Sequence, residues 1–175
     1  VCLVLVFLLS MLLEWIYDTD HQVQFTDTSY IFVLDESGSM DTNDPSLERY
    51  SAVSTVMQTM PDTFPYAVYM FSNTCVQIRP MADASAGPLV RPADADETMM
   101  GSTYILNALE VVYQDIQSGN LNAGNHPHVI LLTDGCASDM SIFTDTSILR
   151  QMNRANVRVS TVGLGVVDEY LMQKI

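Results

Sequence analysis

Residues 30–39 read YIFVLDESGS, an apolar run that passes directly into an acidic, hydroxyl-rich loop. A short continuous apolar run of this kind is typical of a strand that is covered on both faces of a sheet. The loop places a carboxylate at Asp35 and hydroxyl groups at Ser37 and Ser39 immediately after that strand. Hard divalent cations such as Mg²⁺ prefer oxygen ligands of these types. The stretch therefore predicts a central strand with a candidate cation site at its carboxyl end.

The rest of the chain alternates predicted strands and helices around this stretch. An apolar strand that ends in Asp recurs at 128–134 (HVILLTD). The other predicted elements, in order, are a helix from the cap Asp44 and Pro45 to Met60, a hairpin of strands 66–72 and 75–79, a long loop 80–100, a helix that follows 101–103 and runs to Ile116, a weaker helix at 144–155, a strand at 157–163 and a helix from Asp168. Such alternation predicts a doubly wound α/β fold with a mostly parallel central sheet flanked by helices. Ligands of such sheets bind at the carboxyl ends of the strands, where the strand order reverses.

The N-terminal residues 1–17 read VCLVLVFLLSMLLEWIY, and Glu14 is their only charged residue. A run of this length is near the lower limit for a bilayer span, so we expect a hydrophobic helix that anchors the chain in a membrane. A signal-peptide core and a buried helix are the alternatives. Residues 18–28 are polar and are expected to form a juxtamembrane linker before a domain at 29–175. No Lys or Arg precedes Arg49, which favours an extracytoplasmic position for that domain.

Composition excludes one class of partner and says little about redox state. The 175 residues carry a net charge of −14, and no cluster of Lys and Arg offsets it locally, which argues against nucleic-acid binding. The three cysteines, at Cys2, Cys75 and Cys136, have no metal-site or disulfide-framework spacing. We expect free thiols, and at Cys136 a small buried residue.

Three motifs together resemble the von Willebrand factor A domain family. Asp35-Glu36-Ser37-Gly38-Ser39 is similar to the family's DxSxS signature, which begins its metal-ion-dependent adhesion site. Gly101-Ser102-Thr103 resembles the family's glycine-rich loop, although GGT is commoner there, and Thr133-Asp134-Gly135 resembles its TDG turn. The resemblance covers about residues 29–170 and implies a Rossmann-like fold whose last strand and helix are missing or incomplete here. The sequence around the first motif looks more like bacterial members.

The resemblance also implies a ligand set and a function. Ser37 and Ser39 would bind Mg²⁺ directly, with Mn²⁺ or Ca²⁺ as alternatives, and Thr103 would add its hydroxyl. Asp35 and Asp134 would act through water or one direct bond. The open position would take an Asp or Glu carboxylate of a protein partner, which makes the chain a membrane-anchored adhesion or complex-assembly module. The neighbours expected to contact that partner are Glu36, Met40, Ser102 and Gly135, although Glu36 also fits a solvated acid.

Two other functions remain open from the residues alone. The chain fits a structural subunit of a membrane complex whose metal site is merely stabilising. It fits a phosphatase-like enzyme using Asp35 less well, because position 37 lacks a second carboxylate and Lys174 is the only lysine. No G-x-S-x-G elbow is present, so we expect no enzyme. His126 and His128 lie at the opposite end of their strand from the candidate site and are not expected to bind metal.

Overall fold

The apolar run at 30–34 forms the middle of a central strand, as the sequence predicts. The computed structural model describes residues 28–60, 64–82, 86–98, 101–140, 147–173 and 175. Their elements, in chain order, are β1 (Thr28–Asp35), α1 (Met40–Asn43), α2 (Glu48–Thr59), β2 (Tyr66–Phe71), β3 (Cys75–Ala82), α3 (Ala95–Thr98), α4 (Ile105–Ser118), β4 (His126–Thr133), α5 (Ser147–Arg154), β5 (Arg158–Gly163) and α6 (Glu169–Met172).

The strands form one mostly parallel sheet in the order β3-β2-β1-β4-β5. β1 pairs in parallel with both β2 and β4, and β5 pairs in parallel with β4. β3 is antiparallel to β2, which confirms the predicted hairpin. The chain leaves β1 toward one edge and returns to pair β4 on the other side of β1. The strand order therefore reverses between β1 and β4, where the rule for open α/β sheets places a ligand.

Alternate residues of the central strands pack in two separate hydrophobic clusters, one on each face of the sheet. Phe32 and Leu34 face the side that α2 covers, with Tyr50, Val53, Val56 and Met57. Ile31 and Val33 face the opposite side, which is covered by apolar residues of α4 and α5. Because both faces are covered, nearly every residue of β1 is buried, which explains the continuous apolar run. The doubly wound prediction is confirmed.

The predicted start of the first long helix is wrong by three residues. Asp44 and Pro45 do not form its first turn, since α2 begins at Glu48 after a left-handed Leu47. Asp44 still caps the helix from a distance, because its carboxylate accepts hydrogen bonds from the backbone N–H groups of Glu48 (2.6 Å) and Arg49 (3.1 Å). The sequence signal for a cap was right, and the intervening turn was missed.

A buried ion network ties the β1–α2 loop to helix α2. Arg49 donates to Glu36 through Nε (3.0 Å) and to Asp44 through Nη1 (2.7 Å), so one guanidinium holds both ends of the loop 36–44. Arg91 reaches the other oxygen of Glu36 at 2.8 Å, and Tyr50 donates its hydroxyl to Glu36 at 2.9 Å. Burial, together with the charge of Glu36, raises the pKa of Tyr50, so the hydroxyl stays a donor. The loop is thus fixed at both ends by side chains of its own domain.

The predicted N-terminal hydrophobic helix at 1–17 lies outside the described residues. The predicted linker at 18–28 also lies outside them except for its last residue, Thr28, which begins β1. Within the described ranges, no helix is both long and apolar enough to cross a bilayer. Cys75 and Cys136 are free thiols, as expected.

His128, on β4, is a buried histidine that favours its neutral form. Its Nε2 lies 2.9 Å from the hydroxyl of Ser160 on β5, and its ring packs against Tyr30 with centroids 5.8 Å apart. Burial and then the nearby charge of Arg158 lower the pKa of His128 to about 4. These partners explain the residue structurally, at the strand end opposite Asp134.

Replacing Arg49 by Met is expected to lower the free energy of unfolding by about 3–5 kcal/mol, because it leaves Asp44 buried without its cation and Glu36 with only one. Urea denaturation would measure this, with Arg49→Lys as a milder variant if Arg49→Met does not fold. The control is Arg154→Met, since Arg154 is exposed and its loss is expected to change stability by less than about 0.5 kcal/mol. Equal effects of Arg49→Met and Arg154→Met would contradict the role of the network.

Stability is expected to fall as the pH drops from 6.5 toward 4, partly because of His128. A histidine with a lowered pKa in the folded state binds a proton first in the unfolded state, so its contribution is present above pH 6.5 and is lost as the pH falls. The difference between wild type and His128→Gln across this window should be on the order of 2–3 kcal/mol. Chemical denaturation at several pH values measures it. His126→Gln, at an exposed position, should follow the wild type, and parallel curves for all three proteins would refute the assignment.

Candidate metal site at the carboxyl edge of the sheet

Two aspartates come together at the point where the strand order reverses. Asp35 is the last residue of β1, and Asp134 directly follows β4, the strand that pairs with β1 through Leu34 and Leu132. Both are fully buried, with 0% of their surface exposed. The fold therefore places the carboxylates of two separate sequence motifs at one edge of the sheet.

Asp35 is held by neutral hydrogen-bond donors. One carboxylate oxygen accepts the backbone N–H of Ser37 at 2.8 Å, and the other accepts the hydroxyl of Thr133. The pKa of Asp35 is raised because burial disfavours its charge and the carboxylate of Asp134 adds repulsion, while the hydrogen bonds from Thr133 and Ser37 oppose the rise. Without a cation, the ionised form of Asp35 is thus disfavoured in this environment.

Asp134 is also held by neutral donors on both oxygens. The side-chain amide of Asn43 donates to Oδ2 at 2.9 Å, and the backbone N–H of Cys136 donates to Oδ1 at 3.0 Å. Its carbonyl oxygen accepts the N–H of Asp168 at 3.0 Å, which fixes the backbone as well. Each carboxylate oxygen keeps a second lone pair for a further contact.

The hydroxyl pair of the first motif has the spacing that an octahedral cation requires. Ser37 Oγ and Ser39 Oγ are 3.1 Å apart. Adjacent ligands at about 2.1 Å from an octahedral Mg²⁺ are about 3.0 Å apart, so these two oxygens fit neighbouring positions of one ion. Ser37 is buried and Ser39 is partly exposed, which leaves the pair open to one side.

The glycine-rich loop is tied to the first motif and to the hairpin turn. The carbonyl of Gly101 accepts the N–H of Gly38 at 3.3 Å, and Asn73 Oδ1 accepts the N–H of Ser102 at 2.7 Å. Gly101 has φ +138°, and a Cβ there would lie 2.3 Å from the amide of Asn73, so only glycine fits. Ser102 is exposed, so its side chain meets no packing constraint at this position.

Thr103 is buried and fixed from the other side by the segment after β4. Its carbonyl accepts the N–H of Ser138 at 2.7 Å, and its own N–H donates to the Ser138 hydroxyl at 3.3 Å. Asp139 then caps helix α4 by accepting the N–H of Ile105 at 2.9 Å and of Asn107 at 3.1 Å. Hydrogen bonds therefore connect the loop that carries Thr103 to the loop that carries Asp134.

The residues present fit a divalent cation. No Lys, Arg or His of the described part of the chain forms an ion pair with Asp35 or Asp134, although both are buried. Buried carboxylates are normally paired with a cation or coordinate one. The described residues contain no group of three or more His, Cys, Asp or Glu side chains placed to hold a metal. The candidate site is of another type, because it combines two carboxylates with hydroxyl groups.

Three of the four residues expected to contact a partner are buried instead. Glu36 is enclosed by Arg49 and Arg91, so it is neither a solvated acid nor a surface contact. Met40 packs in the cluster under α2, and Gly135 is covered by Met172 and Asp168. Ser102 alone of the four is exposed. The packing of the folded chain decides these outcomes, and the sequence pattern does not reveal it.

Two further expectations concern residues beside the site. Cys136 was expected to be buried, but it is exposed. Asn43 was not singled out by sequence reasoning, yet it contacts Asp134 directly. Its only signal was its place in the same loop, four residues after Ser39, which is too weak to have identified it.

Solved structures with the same fold come from organisms as different as Sulfolobus, Plasmodium and Bacteroides. The ArnB paralog VWA2 of Sulfolobus acidocaldarius is 20% identical, with 77% of this chain and 34% of that chain covered and a TM-score of 0.56. Manganese-loaded TRAP protein of Plasmodium vivax is 16% identical, with 85% and 62% covered and a TM-score of 0.64. An aerotolerance-related membrane protein of Bacteroides fragilis is 16% identical, with 79% and 68% covered and a TM-score of 0.59.

These similarities show a shared fold, and the chain spans only about a third of the archaeal protein and less than two thirds of the Plasmodium protein. No curated protein sequence matches the chain significantly. The family model for the von Willebrand factor type A domain matches residues 31–175, which include all three motifs of the candidate site. The chain therefore belongs to the von Willebrand factor type A (VWA) domain family.

Proposed function

We propose that this VWA domain is a metal-dependent binding module that captures a carboxylate of a protein partner. VWA domains commonly mediate protein interaction and adhesion, and most are interaction modules rather than enzymes. The proposed ligands are Asp35, Ser37, Ser39, Thr103 and Asp134. The bound cation, Mg²⁺ or alternatively Mn²⁺ or Ca²⁺, would supply an electrophilic centre that accepts a carboxylate oxygen from outside.

The observation that carries the proposal is a pair of buried carboxylates for which the described residues provide no Lys, Arg or His partner. Asp35 and Asp134 contribute two negative charges, which a divalent ion balances without excess. The hydroxyls of Ser37 and Ser39 add ligands but no charge, so the ion keeps its attraction for an external anion. A chain with a net charge of −14 would otherwise repel an acidic partner.

The proposal extends to the location of the domain. Residues 1–17 are proposed to anchor the chain in a membrane, residues 18–28 to link the anchor, and the VWA domain at 29–175 to lie on the extracytoplasmic side. The apolar run and the lack of Lys and Arg before Arg49 support this. The similar Bacteroides fragilis structure is described as a membrane protein, which agrees with the proposal but concerns that protein.

Saturating Mg²⁺ or Mn²⁺ is expected to raise the melting temperature of the domain above its value in EDTA. At a metal concentration about 100 times Kd the gain is about 2.7 kcal/mol, or about 5–10 °C for a chain of this size. Asp134→Asn should lose most of this gain because it removes one of the two charges that attract the ion. Differential scanning fluorimetry with and without EDTA measures it, with Glu110→Gln on the exposed face of α4 as the charge-matched control.

Partner capture separates the binding module from the structural alternative. Pull-down from membrane extracts with the wild-type chain should recover a partner in Mg²⁺ but not in EDTA, and Asp134→Asn should recover none. Capture that survives both EDTA and Asp134→Asn would instead favour a structural subunit of a membrane complex. If the melting temperature of the wild type did not change with metal, the proposed metal site would be contradicted.

The stabilisation by metal is expected to increase with pH. The pKa of Asp35 is raised, so this group favours the folded state at low pH, and that contribution is lost as the pH rises through its folded-state pKa. The ion restores stability only where Asp35 is ionised, because protons and metal compete for the same oxygens. The gain in melting temperature from saturating Mn²⁺ should therefore be larger at pH 7.5 than at pH 5. A gain that does not change with pH would contradict this account.

A further inference from the structure

Asn43, at the end of the one-turn helix α1, connects a candidate metal ligand to the loop after β5. Its Nδ2 donates to Asp134 Oδ2 at 2.9 Å, and its Oδ1 accepts the backbone N–H of Val166 at 3.3 Å. Chemistry fixes this amide orientation, because a carboxylate only accepts hydrogen bonds and a backbone N–H only donates them. Both ends of the side-chain amide are therefore used in contacts that one orientation alone satisfies.

The backbone of Asn43 is also fixed, by close packing against Gly165. A Cβ at Gly165 would lie 2.7 Å from Asn43 Cβ and 2.8 Å from its carbonyl oxygen. Gly165 has φ +68°, a conformation that glycine adopts without strain. The amide of Asn43 is thus presented to Asp134 from a position with little freedom to move.

A neutral donor at this place has a specific effect on Asp134. The hydrogen bonds from Asn43 and from the N–H of Cys136 fix the rotation of the carboxylate, since each takes one lone pair of one oxygen. Neither donor carries charge, so the full negative charge stays available to a cation. An arginine or lysine in place of Asn43 would neutralise that charge, and an aspartate would set two carboxylates side by side.

We propose that Asn43 is a positioning residue for the metal site, acting through Asp134, and that it links occupancy of the site to the β5–α6 loop at Val166. This inference rests on the proposed metal-binding function and deepens it. Partners that orient a metal ligand from outside the coordination shell typically change metal affinity by about 10–100-fold. No motif of the sequence includes Asn43, so its contribution is visible only in the folded structure.

The test measures Mn²⁺ affinity by electron paramagnetic resonance of the free ion, at a temperature well below the melting point of every variant. Asn43→Ala should bind Mn²⁺ at least about 10-fold more weakly than wild type, because the carboxylate of Asp134 loses one of the two hydrogen bonds that orient it. Asn153→Asp on the exposed face of α5 serves with Asn43→Asp as a matched pair, since both add one negative charge and only one lies beside Asp134.

Asn43→Asp keeps the shape of the side chain and so remains informative if Asn43→Ala does not fold. Its melting temperature in EDTA should be lower than that of wild type, and Mn²⁺ should raise it by more than it raises wild type, because the ion screens the new repulsion. Asn153→Asp should behave as wild type in both conditions. A purely structural role would lower the melting temperature of Asn43→Asp without any extra recovery in Mn²⁺.

The outcomes separate this inference from the proposed function. If the wild-type chain binds no Mn²⁺, the metal-binding function fails, and the role of Asn43 fails with it. If the wild type binds Mn²⁺ and Asn43→Ala binds it within about threefold of the same affinity, the inference is overturned while the metal site stands. A larger loss for Asn43→Ala, together with the extra recovery of Asn43→Asp in Mn²⁺, supports it.

Discussion

Two buried carboxylates at neighbouring strand ends, with neutral donors around them, set the constraint on which the rest of the site depends. Burial raises the pKa of Asp35 and the carboxylate of Asp134 beside it adds repulsion, so a counter-charge would stabilise the pair. The groups that hold them orient the carboxylates without neutralising them. They are the side chains of Thr133 and Asn43 and the backbone N–H groups of Ser37 and Cys136. Among the described residues, the negative charge of the two carboxylates therefore has no positive partner, and a divalent ion would supply one.

The contrast with Glu36 makes this arrangement more informative. Glu36 is the sequence neighbour of Asp35, but its side chain faces α2, where Arg49 and Arg91 both bind it. Two arginines therefore lie close to the first motif, but both pair with Glu36 rather than with Asp35. That pair of buried ion contacts holds the loop in place, whereas the exposed Asp96, with 79% of its side-chain surface accessible, adds little through its contact with Arg91. Arginines stabilise the loop, whereas no Lys, Arg or His of the described residues forms an ion pair with Asp35 or Asp134.

Most of the fold could be predicted from the sequence because its signals are local. The continuous apolar runs at β1 and β4 and the turn between β2 and β3 follow from burial on two faces and from short-range turn chemistry. The ligand set is implied by the resemblance of three motifs to the VWA family, and the structure brings those motifs together. What the sequence did not reveal depends on side-chain direction across the fold, as for Met40 in the core, or on contacts between distant segments.

Local turn geometry and contacts between distant segments explain the main details that the sequence did not predict. Asp44 caps α2 only after a turn through Leu47 in a left-handed conformation, which no helix-start rule includes. Asn43 contacts Asp134 across 91 positions of sequence, so no local pattern distinguishes it from any other loop asparagine. Exposure of Cys136 likewise depends on how the segment after β4 leaves the sheet. Such features require the assembled molecule.

The turn between β2 and β3 has a consequence for how the chain tolerates change. Hairpin turns are ordinarily places where a protein accepts added residues, because nothing else depends on their shape. Here the carbonyl of Ser72 accepts the N–H of Tyr104 at 3.0 Å, and the side chain of Asn73 fills the space beside Gly101. The turn thus serves as a scaffold for the loop of Thr103, and its length is set by a segment about thirty positions away rather than by the strands that it joins. A loop graft or an inserted tag at Asn73 would therefore alter the candidate cation site without changing any of its proposed ligands.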